Sequence, residues 1–331
     1  MLKANLTVVA LVVLLLAGPA QGQSSYEKDT TAGVKAYNNG NFAEAEKIFK
    51  RALKELEAAS PTDERVGLVL VNLATVKKAQ GLDKEVEPLL KRAIGVLELA
   101  LGPEHPDLAT ANENLGMFYY DQLLAKAGTT RNDIRFAYTA FSLDRPGTPG
   151  RGSLSRPGGG AGSTATDHLA QAHQKAAKED PQVLYFGLAE GRLKKALAIR
   201  ENYFGAASAE IVGSLKDLGE LYIVTKHIPE AETTLRRALT IRETLGGEQD
   251  ADGAAIMNML ASVHRNNKNY AEAEPLYQRA LAIQEKLLGP MHADLVPTLQ
   301  AYAVLLKETG RKDESKQFEA RAKDIQKRNP S

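Results

Sequence analysis

An all-helical array of stacked helix pairs is the fold class this sequence predicts, and three observations predict it. Cysteine and tryptophan are absent and aromatic residues reach only 6% of the 331, a composition that favours helices over a sandwich or barrel. Apolar residues recur at helical spacing, as at Ile256, Met259, Leu260 and Val263. The chain also repeats itself. Glu46, Glu87, Glu190, Glu232 and Glu274 each stand six residues before an alanine, namely Ala52, Ala93, Ala196, Ala238 and Ala280, and a weaker copy supplies Ala322. Successive alanines are 41, 103, 42, 42 and 42 residues apart.

A second fixed point, Leu73-Ala74, Leu218-Gly219, Leu260-Ala261 and Tyr302-Ala303, precedes its alanine by 20 residues. Leu115-Gly116 follows Leu73-Ala74 by 42, so its alanine is due near position 135; it arrives at Ala196, about 61 residues late. The third unit therefore carries an insertion. Each unit reads as a first amphipathic helix, such as 252–266, and a second, such as 271–287, with Leu276, Tyr277, Ala280, Leu281 and Ile283 inward. The alanine column lets each second helix approach its neighbours closely. Gln80-Gly81 and Asn267-Lys268-Asn269 are turns within units. Between units, Gly102 and Gly289 are expected to end the second helix in a left-handed cap, and Pro103 and Pro290 forbid its continuation. Asp107, Glu210, Asp252 and Asp294 open the next first helix, where a carboxylate compensates free N–H groups and the positive dipole end.

Leu-Gly/Ala followed by Tyr in the first helix, with Ala-Glu…Ala-Leu in the second, resembles the tetratricopeptide repeat. The 42-residue pitch and stretches such as YAEAEPLYQRALAIQE at 270–285 resemble the kinesin-light-chain type of that repeat. The resemblance covers residues 26–126 and 182–326. It implies a right-handed superhelical array of about six units, with first helices lining a concave face that binds an extended peptide. Unit one departs from the pattern with Thr31-Ala32-Gly33, and unit six with Lys323 in place of Leu.

Residues 1–22 read as a secretory signal peptide: Lys3, an apolar run over 6–17, then Gly18-Pro19-Ala20-Gln21-Gly22, with cleavage after Ala20 or Gly22. The run is shorter than the ~18–20 residues a membrane span needs, so no stable membrane insertion is expected after cleavage. The expected location is outside the cytoplasm, periplasmic or secreted, with a bacterial envelope favoured because no disulfide can form. Domain organisation follows: signal 1–22, units one and two with the first helix of unit three over 26–126, insertion 127–181, and the remaining units over 182–327. About 144–166 the insertion collapses into Gly, Pro and Ser and is expected to be disordered, and Arg131, Arg135, Arg145, Arg151 and Arg156 make it modestly basic. A helix is expected over 166–179, and Pro181 is expected to start a long second helix of unit three.

Reactive chemistry is sparse. The 42 basic and 41 acidic residues leave a net charge of +1, no field to gather nucleic acid. His105 and His292 occupy one position of the inter-unit turn and are expected to bond to backbone. His168 and His173 are five apart, wrong for two ligands on one helix face, and Gly158-Gly-Gly-Ala-Gly-Ser163 lacks the flanking strand and GK[ST] of a phosphate loop. The glutamate column belongs to the framework, and no charged residue breaks the repeat in a chemically suggestive way. No catalytic, metal or cofactor site is expected.

What varies is the surface of the first helices. Asn72, Asn114, Lys216, Asn258 and Gln300 precede the Leu-Ala/Gly pair, and Lys78, Arg265, Asn266 and Lys307 lie one turn on. Asn offers both donor and acceptor to a peptide backbone, and Lys or Arg favours an acidic segment or terminal carboxylate. These nine residues are the expected peptide groove of a non-enzymatic interaction scaffold. Its partner is a protein or peptide, and self-association stays open. The alternative is an accessory subunit of an envelope enzyme, or an enzyme whose site the insertion completes.

Overall fold

The computed structural model describes residues 25–130, 180–247 and 249–328, and among these it is all helix, without a strand. The expected signal segment, the Gly/Pro/Ser stretch at 144–166 and the helix expected over 166–179 lie outside the described residues. Six helix pairs follow one another. They are α1 (Ser25–Asn38) with α2 (Phe42–Ala59), α3 (Glu64–Ala79) with α4 (Asp83–Leu101), and α5 (Pro106–Lys126) with α6 (Pro181–Phe204). Then come α7 (Val212–Val224) with α8 (Ile228–Thr244), α9 (Ala251–Asn266) with α10 (Tyr270–Leu288), and α11 (Val296–Glu308) with α12 (Lys312–Arg328).

In three of the pairs a glycine of the first helix is set against a large residue of the second at the same register. A Cβ built on Gly33 would stand 2.7 Å from the Phe49 ring, on Gly116 2.9 Å from Leu193, and on Gly219 2.5 Å from Leu235. The alanine column is buried throughout, from Ala52 at 2% exposed to Ala280 at 0%. Turns within pairs need a left-handed residue. Gly40, Gly81 and Gly310 supply it, whereas Lys226 and Lys268 adopt φ of 60° and 61°.

Between pairs, Gly102, Gly205 and Gly289 end the second helices with positive φ, as expected, but with ψ of 171°, 152° and 158°. That is not the left-handed helical cap expected but an extended conformation that essentially only glycine adopts. The next helix is capped by side chains two or three residues before the N–H they accept. His105 Nδ1 accepts from the Asp107 amide and His292 Nδ1 from the Asp294 amide, each at 3.2 Å, and Asp250 accepts from Gly253 at 2.8 Å. The histidines thus bond to backbone as turn residues, and Asp107 and Asp294 occupy the first turn without being the caps.

Unit three departs from the others by lengthening its hairpin. Counted from the locking glycine or alanine, α3 ends five residues after Ala74, whereas α5 runs ten residues past Gly116. Its partner α6 starts at Pro181, capped by Asp180, eight residues before Ala189; α8 and α10 start three before Ala231 and Ala273. The extra turns carry their own apolar contacts: Leu123 and Leu124 are buried, Tyr185 lies 6.4 Å from Tyr119, and Phe186 stacks on His227 at 4.4 Å. Successive first helices pack on one another directly, α3 on α5, α5 on α7, α7 on α9 and α9 on α11. They form the tighter inner layer, and no described helix is long and apolar enough to cross a membrane.

Candidate functional site

Two sets of charged columns hold the array and are spent on doing so. Four of the five column glutamates reach the first helix of the next unit: Glu46 takes Lys77 at 2.7 Å, while Glu87 and Glu190 accept from the Tyr119 and Tyr222 hydroxyls at 2.9 Å. Glu274 accepts from Tyr302 at 3.0 Å and Arg311 at 2.8 Å. Glu232 breaks the pattern, because His264 stands where the tyrosine would; Arg236 turns between Glu232 at 2.9 Å and His264 Nε2 at 3.2 Å. On the outer layer, Arg92, Arg237, Arg279 and Arg321 pair with Glu57, Glu201, Glu243 and Glu285 of the preceding second helix.

The inner layer carries what the framework leaves over. Lys216, Asn258 and Gln300 are half-buried at equivalent positions, two residues before Leu218, Leu260 and Tyr302. Lys216 Nζ pairs with Asp252 at 2.5 Å, and Asn258 Oδ1 is enclosed without a protein partner. Asn266 and Lys307 are exposed, whereas Lys78 is half-buried and paired with Asp121. Arg265 is only 4% exposed and donates to Asn266 Oδ1 at 3.2 Å.

Asn72 and Asn114 do not belong to this row. They stand one residue before Leu73 and Leu115, and one residue is a rotation of about 100° on a helix. Asn72 is 0% exposed with neither amide atom partnered, and Asn114 is 8% exposed with its Nδ2 enclosed and unpartnered. The residues that share the register of Lys216 are Val71 and Glu113. As solvent-facing members of a groove, Asn72 and Asn114 are therefore corrected.

Glu113 leads to a feature the sequence reading passed over. Arg200, in the register where Leu56 and Leu97 are buried, grips Glu113 of α5 with two bonds, at 2.5 and 2.8 Å. The same guanidinium bonds the Ser214 hydroxyl of α7, which donates to Glu113 at 3.0 Å. Charged residues do break the repeat here, and aligning the units column by column exposes them. Beside this bridge opens a cavity of about 330 Å³ lined by Asp107, Thr110, Glu113, Arg200, Phe204 and Glu210. Burial pushes the Asp107 carboxyl above its usual range, with His105 opposing. The Ser214 hydroxyl bonds Arg200 and Glu113 rather than an imidazole, and among the described residues no three His, Cys, Asp or Glu gather as metal ligands would.

Residues 253–328 and 68–107 each match a model of the tetratricopeptide repeat. No curated protein matches the sequence. Among solved structures, BtubC (BKLC) from P. vanneervenii is similar, with TM-score 0.56 and 18% identity over 92% of both chains. A Podosopora anserina protein described as a kinesin light chain with nearly identical TPR-like repeats has TM-score 0.53 and 15% identity, over 81% of this chain and 99% of its own. PilF from Pseudomonas aeruginosa has TM-score 0.52 and 13% identity over 93% of both chains. At these identities the likeness is one of fold.

Proposed function

We propose that this chain, a helical solenoid carrying tetratricopeptide repeats, is a non-enzymatic scaffold that holds an extended segment of a partner protein against its inner helix layer. The observation that carries the reading is the contrast between columns. Framework glutamates, arginines and alanines repeat and are internally paired or buried. Where the inner register stays accessible it runs Lys216, Asn258, Gln300, changing chemistry from unit to unit as a sequence-reading surface must. Asn258, Asn266, Gln300 and Lys307 offer donors for backbone carbonyls and a cation for a carboxylate.

Export from the cytoplasm is part of the proposal and rests on the charged, apolar and small-residue order of residues 1–22. N-terminal sequencing of the protein from cells should start at Gln21 or Gln23; an intact Met1 in the mature pool would refute export.

The groove is tested by recovering partners from an envelope extract with wild type and with Asn258→Ala/Asn266→Ala/Lys307→Ala. At about 1 kcal/mol for each lost hydrogen bond, the triple variant should bind its partner roughly 100-fold more weakly. Identical partner sets at identical affinity would remove the inner layer from the function.

A further inference from the structure

We infer that the rim built by the loops between units is a second docking surface, for a partner segment whose apolar side chains are interspersed with Lys or Arg. The apolar half of the argument is a recurrence. Tyr203, Leu245 and Leu287 occupy the same register in three successive units, at the ends of α6, α8 and α10, and are 58%, 52% and 48% exposed. Phe204 and Leu288, next to two of them, are 40% and 42% exposed. Single exposed leucines are ordinary, but a row at one register on consecutive units forms a ridge, and exposed apolar ridges mark contact surfaces.

The charged half is one-sided. The equivalent segments 98–107, 201–210, 243–252 and 285–294 hold eleven acidic residues and one basic residue, Lys286. Framework cations hold five of these carboxylates, as Arg237 holds Glu201 and Arg321 holds Glu285. Among the described residues, no Lys or Arg pairs with Glu104, Asp107, Glu210 or Asp294. A ridge flanked by unneutralised carboxylates repels an anionic lipid surface and attracts a cationic polypeptide.

Two further features fit a bound segment. The loops are pinned: Arg237 donates to the Ala206 carbonyl and Arg321 to the Pro290 carbonyl, each at 2.7 Å, so the ridge is ordered before binding. The cavity at Arg200 opens on this same rim, with Phe204 as a wall. Glu113 already neutralises Arg200, which leaves Asp107 and Glu210 to receive one Lys or Arg side chain with its stem or guanidinium against the Phe204 ring.

The surface stands apart from the inner layer, and the test separates the two. A fluorescein-labelled amphipathic peptide of leucine and lysine is titrated into the full chain by anisotropy, beside a control with glutamate for lysine. Saturable binding is expected, at least tenfold weaker for Leu245→Ser/Leu287→Ser and about threefold weaker for Glu210→Gln, and weaker at higher salt. Asn258→Ala/Lys307→Ala should leave it unchanged, and the glutamate peptide should not bind. All substituted rim side chains are exposed, and helical circular dichroism checks that the variants fold. No saturable binding, indifference to the ridge variant, equal binding of the glutamate peptide, or loss only in the inner-layer variant overturns the inference. So does sedimentation in which Leu245→Ser/Leu287→Ser turns a dimer into a monomer, which would make the rim a contact between copies of this chain.

Discussion

Lys226 and Lys268 show how a single residue can work against the element it serves. Both turn between helices with positive φ, where a Cβ crowds the following carbonyl, and the equivalent turns of other units use Gly40, Gly81 and Gly310. Lys268→Gly should therefore stabilise the chain by about 1 kcal/mol. A thermal melt checks it, with an increase of roughly 2–4 °C expected for a chain of this size; an unchanged or lower midpoint would show that the turn carries no strain. Asn72 is a second residue at odds with its surroundings. Its enclosed amide has no protein partner, a state that costs about 1–3 kcal/mol. An asparagine on a first helix reads as a ligand-facing group until its register is counted.

At the scale of helices, the decisive contacts are those of the small residue on each first helix. Gly219 lets α7 press onto Leu235 of α8, and a methyl there would meet the Leu235 Cγ at 2.7 Å. Gly219→Ala must push the pair apart and should cost about 1–3 kcal/mol, read as a lower denaturation midpoint. Units two and five carry Ala74 and Ala261 at this position, with Leu90 and Tyr277 at the register of Leu235, so the same methyl is native there. If Gly219→Ala is neutral, the α7–α8 spacing is looser than the contact implies.

Across the whole molecule, the glutamate column makes cohesion depend on pH. Lys50 and Lys77 hold the Glu46 carboxyl down at about 2, Arg311 lowers Glu274, and Arg65 lowers Asp63. For Glu87, burial opposes the shift, but Lys91 and Tyr119 prevail and lower it. A carboxyl whose folded value lies below its unfolded one stabilises above the unfolded value and loses that contribution as pH falls toward the folded one. Stability should therefore decline progressively from about pH 5 to about pH 2. Asp107, raised by burial, acts in the opposite sense and gains on protonation. Urea unfolding across this range checks the slope; Glu46→Gln should flatten it, and a slope identical to wild type would show that the Lys77 bridge does not contribute.

The helical class, the 42-residue pitch, the framework role of the glutamates, the buried alanines and the backbone-bonding histidines were all legible in the sequence. Each repeats, and a repeated residue must satisfy the same neighbours in every unit. Periodicity averages over units, so it hid what belongs to one unit alone. The long α6 was legible too, because Pro181 marks its start; the inward turn of Asn72 and Asn114 and the bridge of Arg200 from Glu113 to Ser214 came only from the tertiary structure. Burial, cavities and ion pairs between units depend on which surfaces meet in space. A linear pattern fixes the face of a helix to within one residue, about 100°, and that is the difference between a groove and a core.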